Sequence, residues 1–156
     1  MNQVKIEFLK SVLETNMELN DVAHESADFL AGLSGIIMAI TLTQIFSATG
    51  LQRIGFIIIS LTCFIVIFFS IGIIRPKIGV DKNNLMYYKG ILRLLRKEYT
   101  SKIISITKNE RKIIEEFANE IYDLSMELRE KNKMIKRGAD ILATGLFIGI
   151  LFVFVA

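Results

Sequence analysis

Only one cysteine, Cys63, and one histidine, His24, occur in the chain. A lone cysteine excludes an intrachain disulfide, and with a single histidine a Cys/His metal site of the usual kind is out of reach. Cys63 lies in an apolar run, where a free thiol behaves as a small hydrophobe. There is no glycine-rich phosphate loop, zinc-protease motif or nucleophile elbow. Glu115 and Glu116 are adjacent, so on a helix they point in different directions and make no catalytic pair. The N-terminus, MNQVKIEFLKSVLETNMELND, lacks the apolar core that a signal peptide carries directly after its charged start. The first span is therefore expected to act as the insertion signal. No enzyme chemistry is expected.

The absence that organises the sequence is the absence of charge from three stretches. Hydrophobic residues make up 52% of the chain and the mean hydropathy is +0.46. No charged residue falls between Phe29 and Gln52, between Ile54 and Ile74, or between Ile141 and Ala156. A helix crossing the ~30 Å hydrocarbon core needs about 20 residues at 1.5 Å each. The first two stretches meet that length and are joined by a short Ser47–Arg53 connection containing Gly50, which predicts a tight hairpin. The third is shorter, and crossing places Asp140 at its mouth. Backbone groups in lipid must be satisfied within the segment, which forces helix despite the β-branched content.

Charge sets an orientation. Of the 19 Lys and Arg, 16 lie between Arg75 and Arg137, two precede the first span, and Arg53 alone lies in the hairpin connection. The positive-inside rule places the N-terminus and the 75–137 segment in the cytoplasm and the C-terminus outside, in a multi-pass inner-membrane protein. The expected organisation is a cytoplasmic amphipathic helix at 1–26, a transmembrane hairpin at 27–75, a basic cytoplasmic helical region at 76–136 and a C-terminal transmembrane helix at 137–156. The fold class is all-α.

The first helix carries apolar residues at Phe8, Val12, Leu19 and Val22, with Leu9 and Leu13 alongside, and no breaker separates it from the first span. Arg75-Pro76 ends the second span. Asn84–Tyr99 is expected as an amphipathic helix, with Leu85, Tyr88, Leu92, Leu95 and Tyr99 on one face and Lys89, Arg93, Arg96 and Lys97 on another. Thr100–Ile106 fits extended or helical structure. Thr107-Lys-Asn-Glu110 supplies a capping box. Ile114, Phe117, Ile121, Leu124 and Leu128 then form a coiled-coil-like seam, broken at Lys131 and resumed at Ile135. Residues 1–28 have net charge −4 and residues 75–137 net charge +7, so the two cytoplasmic pieces complement each other.

Small residues recur every fourth position in the first span, at Ala27, Ala31, Gly35, Ala39, Thr43 and Ser47, and Gly145 and Gly149 repeat the pattern in the third. Ala27, Ala31, Gly35, Ala39, Gly145 and Gly149 are the candidates for helix packing or an oligomer interface. Asp28 and Asp140 sit at the ends of spans, where carboxylates are ordinarily interfacial. His24 is expected at the surface.

The order of Ser26–Ile40 (SADFLAGLSGIIMAI), Arg75-Pro76 with Asn84-Leu-Met-Tyr-Tyr-Lys and Glu98-Tyr99, and Phe117–Lys133 (FANEIYDLSMELREKNK) resembles the transmembrane effectors of Pycsar, the bacterial anti-phage system that signals with cyclic pyrimidine nucleotides. Phe29 stands where the family often has a lysine shortly after the aspartate. The resemblance implies an effector that takes a cyclic pyrimidine mononucleotide from a partner cyclase, oligomerises or rearranges, and impairs the inner membrane. It names no nucleic acid polymer as partner and no further cofactor; the bilayer and other copies of the chain are the remaining partners. Under it, Lys89, Arg93, Arg96 and Lys97 are candidates to hold a phosphate, and Tyr87 and Tyr88 to stack on a base. The rival readings are a constitutive pore-former and a scaffold that anchors a partner protein.

Overall fold

Absence of charge in three stretches calls for three long apolar helices, and the computed structural model, which describes residues 3–74 and 95–155, contains them. The described residues hold four helices and no strand: α1 (Gln3–Ile45), α2 (Gly50–Ile74), α3 (Arg96–Thr107) and α4 (Glu110–Phe154). Three of them, α1, α2 and α4, are long and apolar enough to cross a membrane. α1 runs unbroken from the polar N-terminal stretch into the first apolar run. At 43 residues it is about 65 Å long, twice what crossing requires. Tyr87, Tyr88, Lys89 and Arg93 lie outside the described residues.

The chain divides into two units, residues 1–20 with 77–129 and residues 21–76 with 130–156, and α1 and α4 contribute to both. In the first unit α1 and α4 run in the same direction: Lys5 pairs with Glu110 at 3.8 Å, and Ser125 Oγ donates to Asn16 Oδ1 at 2.9 Å. The half-buried face of α1 here is Ile6, Leu9, Leu13 and Asn16. Of the apolar residues expected on this helix, Leu9, Val12 and Leu13 are half-buried, whereas Phe8, Leu19 and Val22 are exposed. The two stripes sit side by side on the helix, and a single sequence does not say which meets a partner.

In the second unit α2 runs antiparallel to α1 and α4. Thr41 and Ser60 share a hydrogen bond of 2.7 Å between their hydroxyls, linking α1 to α2. Gly72 faces Met134, Gly145 faces Thr62, and Gly149 faces Ile59 and Gly55, linking α2 to α4. Ile59, Cys63, Val66 and Leu142 form the core, with Leu30, Ile37, Met38, Ile141 and Leu146 packed on it. Phe29, Ile36, Phe64, Phe68, Phe147 and Phe154 point outward, as the lipid-facing side of such a bundle should. The hairpin turn occupies 46–49 and closes with Ala48 N–H donating to the Gln44 carbonyl at 2.9 Å. Gly50 follows at φ +57°, a left-handed conformation that suits glycine. The third apolar stretch runs the depth of the hairpin, because Phe152 and Val153 lie against Gly55, close to the start of α2.

Two local expectations are corrected. Leu95 is extended (φ −64°, ψ 147°) and its N–H donates to Glu98 Oε2 at 3.1 Å. Arg96–Tyr99 therefore open a helix after Leu95, and the remainder of the expected Asn84–Tyr99 helix lies outside the described residues. Thr107 does not cap α4. Its hydroxyl turns back to the Ile103 carbonyl at 2.9 Å, ending α3, and Asn109 Oδ1 accepts from the Arg111 N–H at 3.0 Å as the true N-cap.

The glycine approach sets a stability test. A Cβ at Gly145 would collide with the Thr62 side chain, whereas one at Gly35 meets nothing within 4 Å. Gly145→Ala is expected to lower stability by about 1–3 kcal/mol, measured by thermal unfolding in detergent. Gly35→Ala is expected to leave it unchanged or raise it, since alanine is the better helix former.

Candidate functional site

Two features carry chemistry that packing alone does not demand: the cationic start of α3, and the polar positions along the seams of α1 and α4. Arg96 and Lys97 open α3 and both are exposed. The first N–H groups of a helix have no intrahelical partner, and the helix dipole places partial positive charge there. Two flexible cations beside those groups make a surface suited to an anion such as a phosphate. Among the described residues, α3 has no fully buried member and Arg96 and Lys97 are open to solvent. Glu98 already occupies one of the N–H groups, that of Leu95, and would compete with a ligand.

The seams follow a strict alternation of three and four. On α1 it runs Ile6, Leu9, Leu13, Asn16, Asn20, Ala23, Ala27, Leu30, Ser34, Ile37, Thr41. On α4 it runs Ile114, Phe117, Ile121, Leu124, Leu128, Lys131, Ile135, Gly138, Leu142, Gly145, Gly149. Every one of these residues is buried or half-buried. An alternating 3,4 step averages 3.5 residues and stays on one face of a gently supercoiled helix. A repeated step of four gains about 40° each time. The stripe Ala27, Ala31, Gly35, Ala39 therefore spirals off the packed face: Ala27 is buried, Ala31 and Gly35 are half-buried and Ala39 is exposed. Gly145 and Gly149 lie on the 3,4 seam and are buried against α2.

Lys131 does not break the seam. It occupies a seam position, is only 3% exposed, and its Nζ lies 2.9 Å from His24 Nε2. A protonated lysine has no acceptor, so in that state the imidazole presents a lone pair at Nε2. His24, expected at the surface, is thus half of an internal polar contact between α1 and α4. The signal was in the spacing, since Leu128, Lys131 and Ile135 keep the 3,4 rhythm. Ser34 Oγ is buried with no hydrogen-bond partner. Among the described residues no group of three or more His, Cys, Asp or Glu is placed to hold a metal ion.

A family model described as the Pycsar effector protein domain matches residues 8–156. The chain belongs to the Pycsar effector protein domain family. No curated protein and no solved structure matches it. The matched region takes in nearly all of α1 and the whole of α2, α3 and α4. Apart from residues 1–7, both units of the Pycsar effector fall within it, and the protein is a membrane effector of anti-phage defence.

The Lys131–His24 contact predicts energetic coupling between two residues far apart in sequence. In this effector His24→Leu is expected to cost about 1–3 kcal/mol by leaving a buried polar group less well satisfied. A double-mutant cycle with Lys131→Met, read by thermal unfolding, is expected to show a coupling of at least about 0.5 kcal/mol. Additive costs would remove the contact's energetic role.

Proposed function

We propose that this effector senses a cyclic pyrimidine mononucleotide with its cytoplasmic region and, on binding, rearranges or oligomerises so that the inner membrane loses integrity. The N-terminus and the 75–137 segment lie in the cytoplasm and the C-terminus outside. The role is that of a non-enzymatic effector fed by a partner cyclase. The observation that carries the reading is that α1 and α4 are each one continuous helix contributing to both units. A ligand that binds the first unit acts on helices whose chains continue into the membrane-spanning unit. The concentration of 16 basic residues between Arg75 and Arg137 supports both the orientation and an anionic ligand. Within that segment Arg96 and Lys97 stand exposed at a helix start. The candidates Ala31, Gly35 and Ala39, left partly or wholly uncovered in one copy, fit an interface between copies.

The test is to titrate the purified chain in nanodiscs with 3′,5′-cyclic UMP, CMP, AMP and GMP while following melting temperature and particle mass. A saturable rise with one cyclic pyrimidine, weakened about tenfold or more in Arg96→Ala, is expected, on the scale of one charge-assisted hydrogen bond. No response to any of the four, with unchanged mass, would overturn cyclic-mononucleotide gating. Toxicity on expression without ligand would then indicate a constitutive pore, and its absence a scaffold.

A further inference from the structure

In the membrane-spanning unit α1 and α4 each carry a stripe of charge on the side away from the seam. On α1 it is Asp21, Glu25 and Asp28. On α4 it is Lys133 and Lys136, with Arg137 beside them. All six are exposed, and none forms an ion pair or side-chain hydrogen bond with a described residue. The spacing on the two helices is the same: Glu25 and Asp28 are three residues apart, as are Lys133 and Lys136, and such neighbours share a helix face. Their heights match as well. The 2.9 Å contact of His24 with Lys131 sets α1 level with α4 at an offset of 107 in residue number. Glu25 and Asp28 therefore lie within one residue, ~1.5 Å, of the height of Lys133 and Lys136. Copies of the chain inserted in one membrane in the same orientation share a depth. A match of height within one copy is then a match between copies.

The charges border lipid. Thr41 bonds Ser60, Met134 lies against Gly72 and Gly145 against Thr62. Asp28 thus falls level with about Ile73 of α2 and Lys136 with about Ser70 or Ile71, just inside the end of the charge-free run at Ile74. By the same count Asp140 falls level with about Val66 or Ile67, which corrects the expectation that it sits at the mouth of the span. A charge facing lipid is costly unless an opposite charge meets it. Below Asp28 the α1 stripe continues in steps of four and three as Gly32, Gly35 and Ala39. Gly32 and Ala39 are exposed and Gly35 is half-buried, and a Cβ at either glycine would meet nothing within 4 Å. No side chain there keeps a neighbouring helix away. Below Lys136 the α4 stripe continues as Asp140, Ala143 and Phe147, all exposed. The offset that matches Asp28 to Lys136 sets Asp140 across from Gly32, Ala143 from Gly35 and Phe147 from Ala39.

We propose that the acidic stripe of α1 docks on the basic stripe of α4 in a second copy of the chain, pairing Glu25 with Lys133 and Asp28 with Lys136 across the contact. Phe147 of one copy then seats over the open face at Gly35 and Ala39 of the other. Charge selects this occupant. An anionic lipid would suit the bases alone, and the acids at the same height repel it. A copy of the chain presents both signs at the matching spacing and depth. Each stripe lies away from the seam on its own helix, so the two face different neighbours and the contact is head to tail. The inference rests on the oligomer of the proposed function and names its surface.

The test is the particle mass of the full chain in detergent, with and without 3′,5′-cyclic UMP or CMP, for two paired reversals: Glu25→Lys with Asp28→Lys, and Lys133→Glu with Lys136→Glu. The native chain is expected to form an oligomer. Each paired reversal alone is expected to fall to the mass of one chain, because like charges then face each other. Mixed in equal amounts, the two are expected to regain the oligomer, since the reversed α1 of one meets the reversed α4 of the other. A chain carrying all four reversals is expected to regain it unaided, which also shows that the substitutions fold. A paired reversal that keeps the native mass would overturn the surface and leave oligomerisation standing. So would a loss that neither mixing nor the fourfold reversal restores. A native chain with the mass of one copy under every condition would overturn oligomerisation and the surface together.

Discussion

The close approach of α2 and α4 at Gly55, Gly145 and Gly149 is the constraint on which the membrane-spanning unit depends. A Cβ at Gly55 would lie 2.6 Å from the Gly149 carbonyl oxygen, and one at Gly149 would lie 3.0 Å from the Gly55 carbonyl oxygen. Neither helix tolerates a side chain there. Lipid tails are as apolar as leucine, so no hydrophobic drive brings spans together; packing and interhelical hydrogen bonds must do it. Glycine at the contact maximises dispersion by letting backbones touch. Once α2 is held antiparallel to α4, and antiparallel to α1 by the tight hairpin, α1 and α4 necessarily run the same way. That shared direction lets one 3,4 seam serve each helix along its whole length.

The two seams change chemistry where the units divide. In the first unit they present Ile6, Leu9 and Leu13 on α1 and Ile114, Phe117, Ile121, Leu124 and Leu128 on α4. Large apolar residues suit a contact whose driving force is removal of surface from water, worth roughly 25 cal/mol per Å². In the second unit Ala23, Ala27, Ser34 and Thr41 alternate with Leu30 and Ile37 on α1, and Lys131, Gly138, Gly145 and Gly149 with Ile135 and Leu142 on α4. The small residues suit a contact driven by closeness, and polar ones supply hydrogen bonds such as Thr41 with Ser60. The seam keeps its spacing from one unit to the other, while small and polar residues enter it among the large apolar ones.

The sequence made the spans legible because exclusion of charge is a one-dimensional property, readable without knowing any partner. The all-α class and the continuity of α1 followed from the same reasoning, and the absence of a breaker was enough. Facing was less legible. Phe8, Leu19 and Val22 make as good a helical stripe as Ile6, Leu9 and Leu13, and only the presence of α4 decides between them. Capping failed for a similar reason: Thr107 and Asn109 are both good N-cap residues, and the end of α3 uses the threonine hydroxyl first. Lys131 looks like a break because it is charged, yet the 3,4 spacing runs through it intact. Of the candidate ligand residues, only Arg96 and Lys97 fall where the structure describes them. Their exposure was legible, but what stands across from them was not.

Depth in the membrane is the property that neither a hydropathy window nor a charge count conveys. Counted along its own helix, Asp140 borders a charge-free stretch and looks interfacial. Counted against α2, through the Gly72–Met134 and Thr62–Gly145 pairs, it lies about two turns inside. The difference arises because α4 enters the bundle earlier than its own apolar run begins, so that Asp140 falls level with apolar residues of α2. Long basic side chains tolerate this by reaching back toward the surface. An aspartate is too short to do so, and its carboxylate stays where the backbone puts it. The asymmetry between the reach of lysine or arginine and that of aspartate means that the depth of Asp140 is set by the backbone of α4 alone.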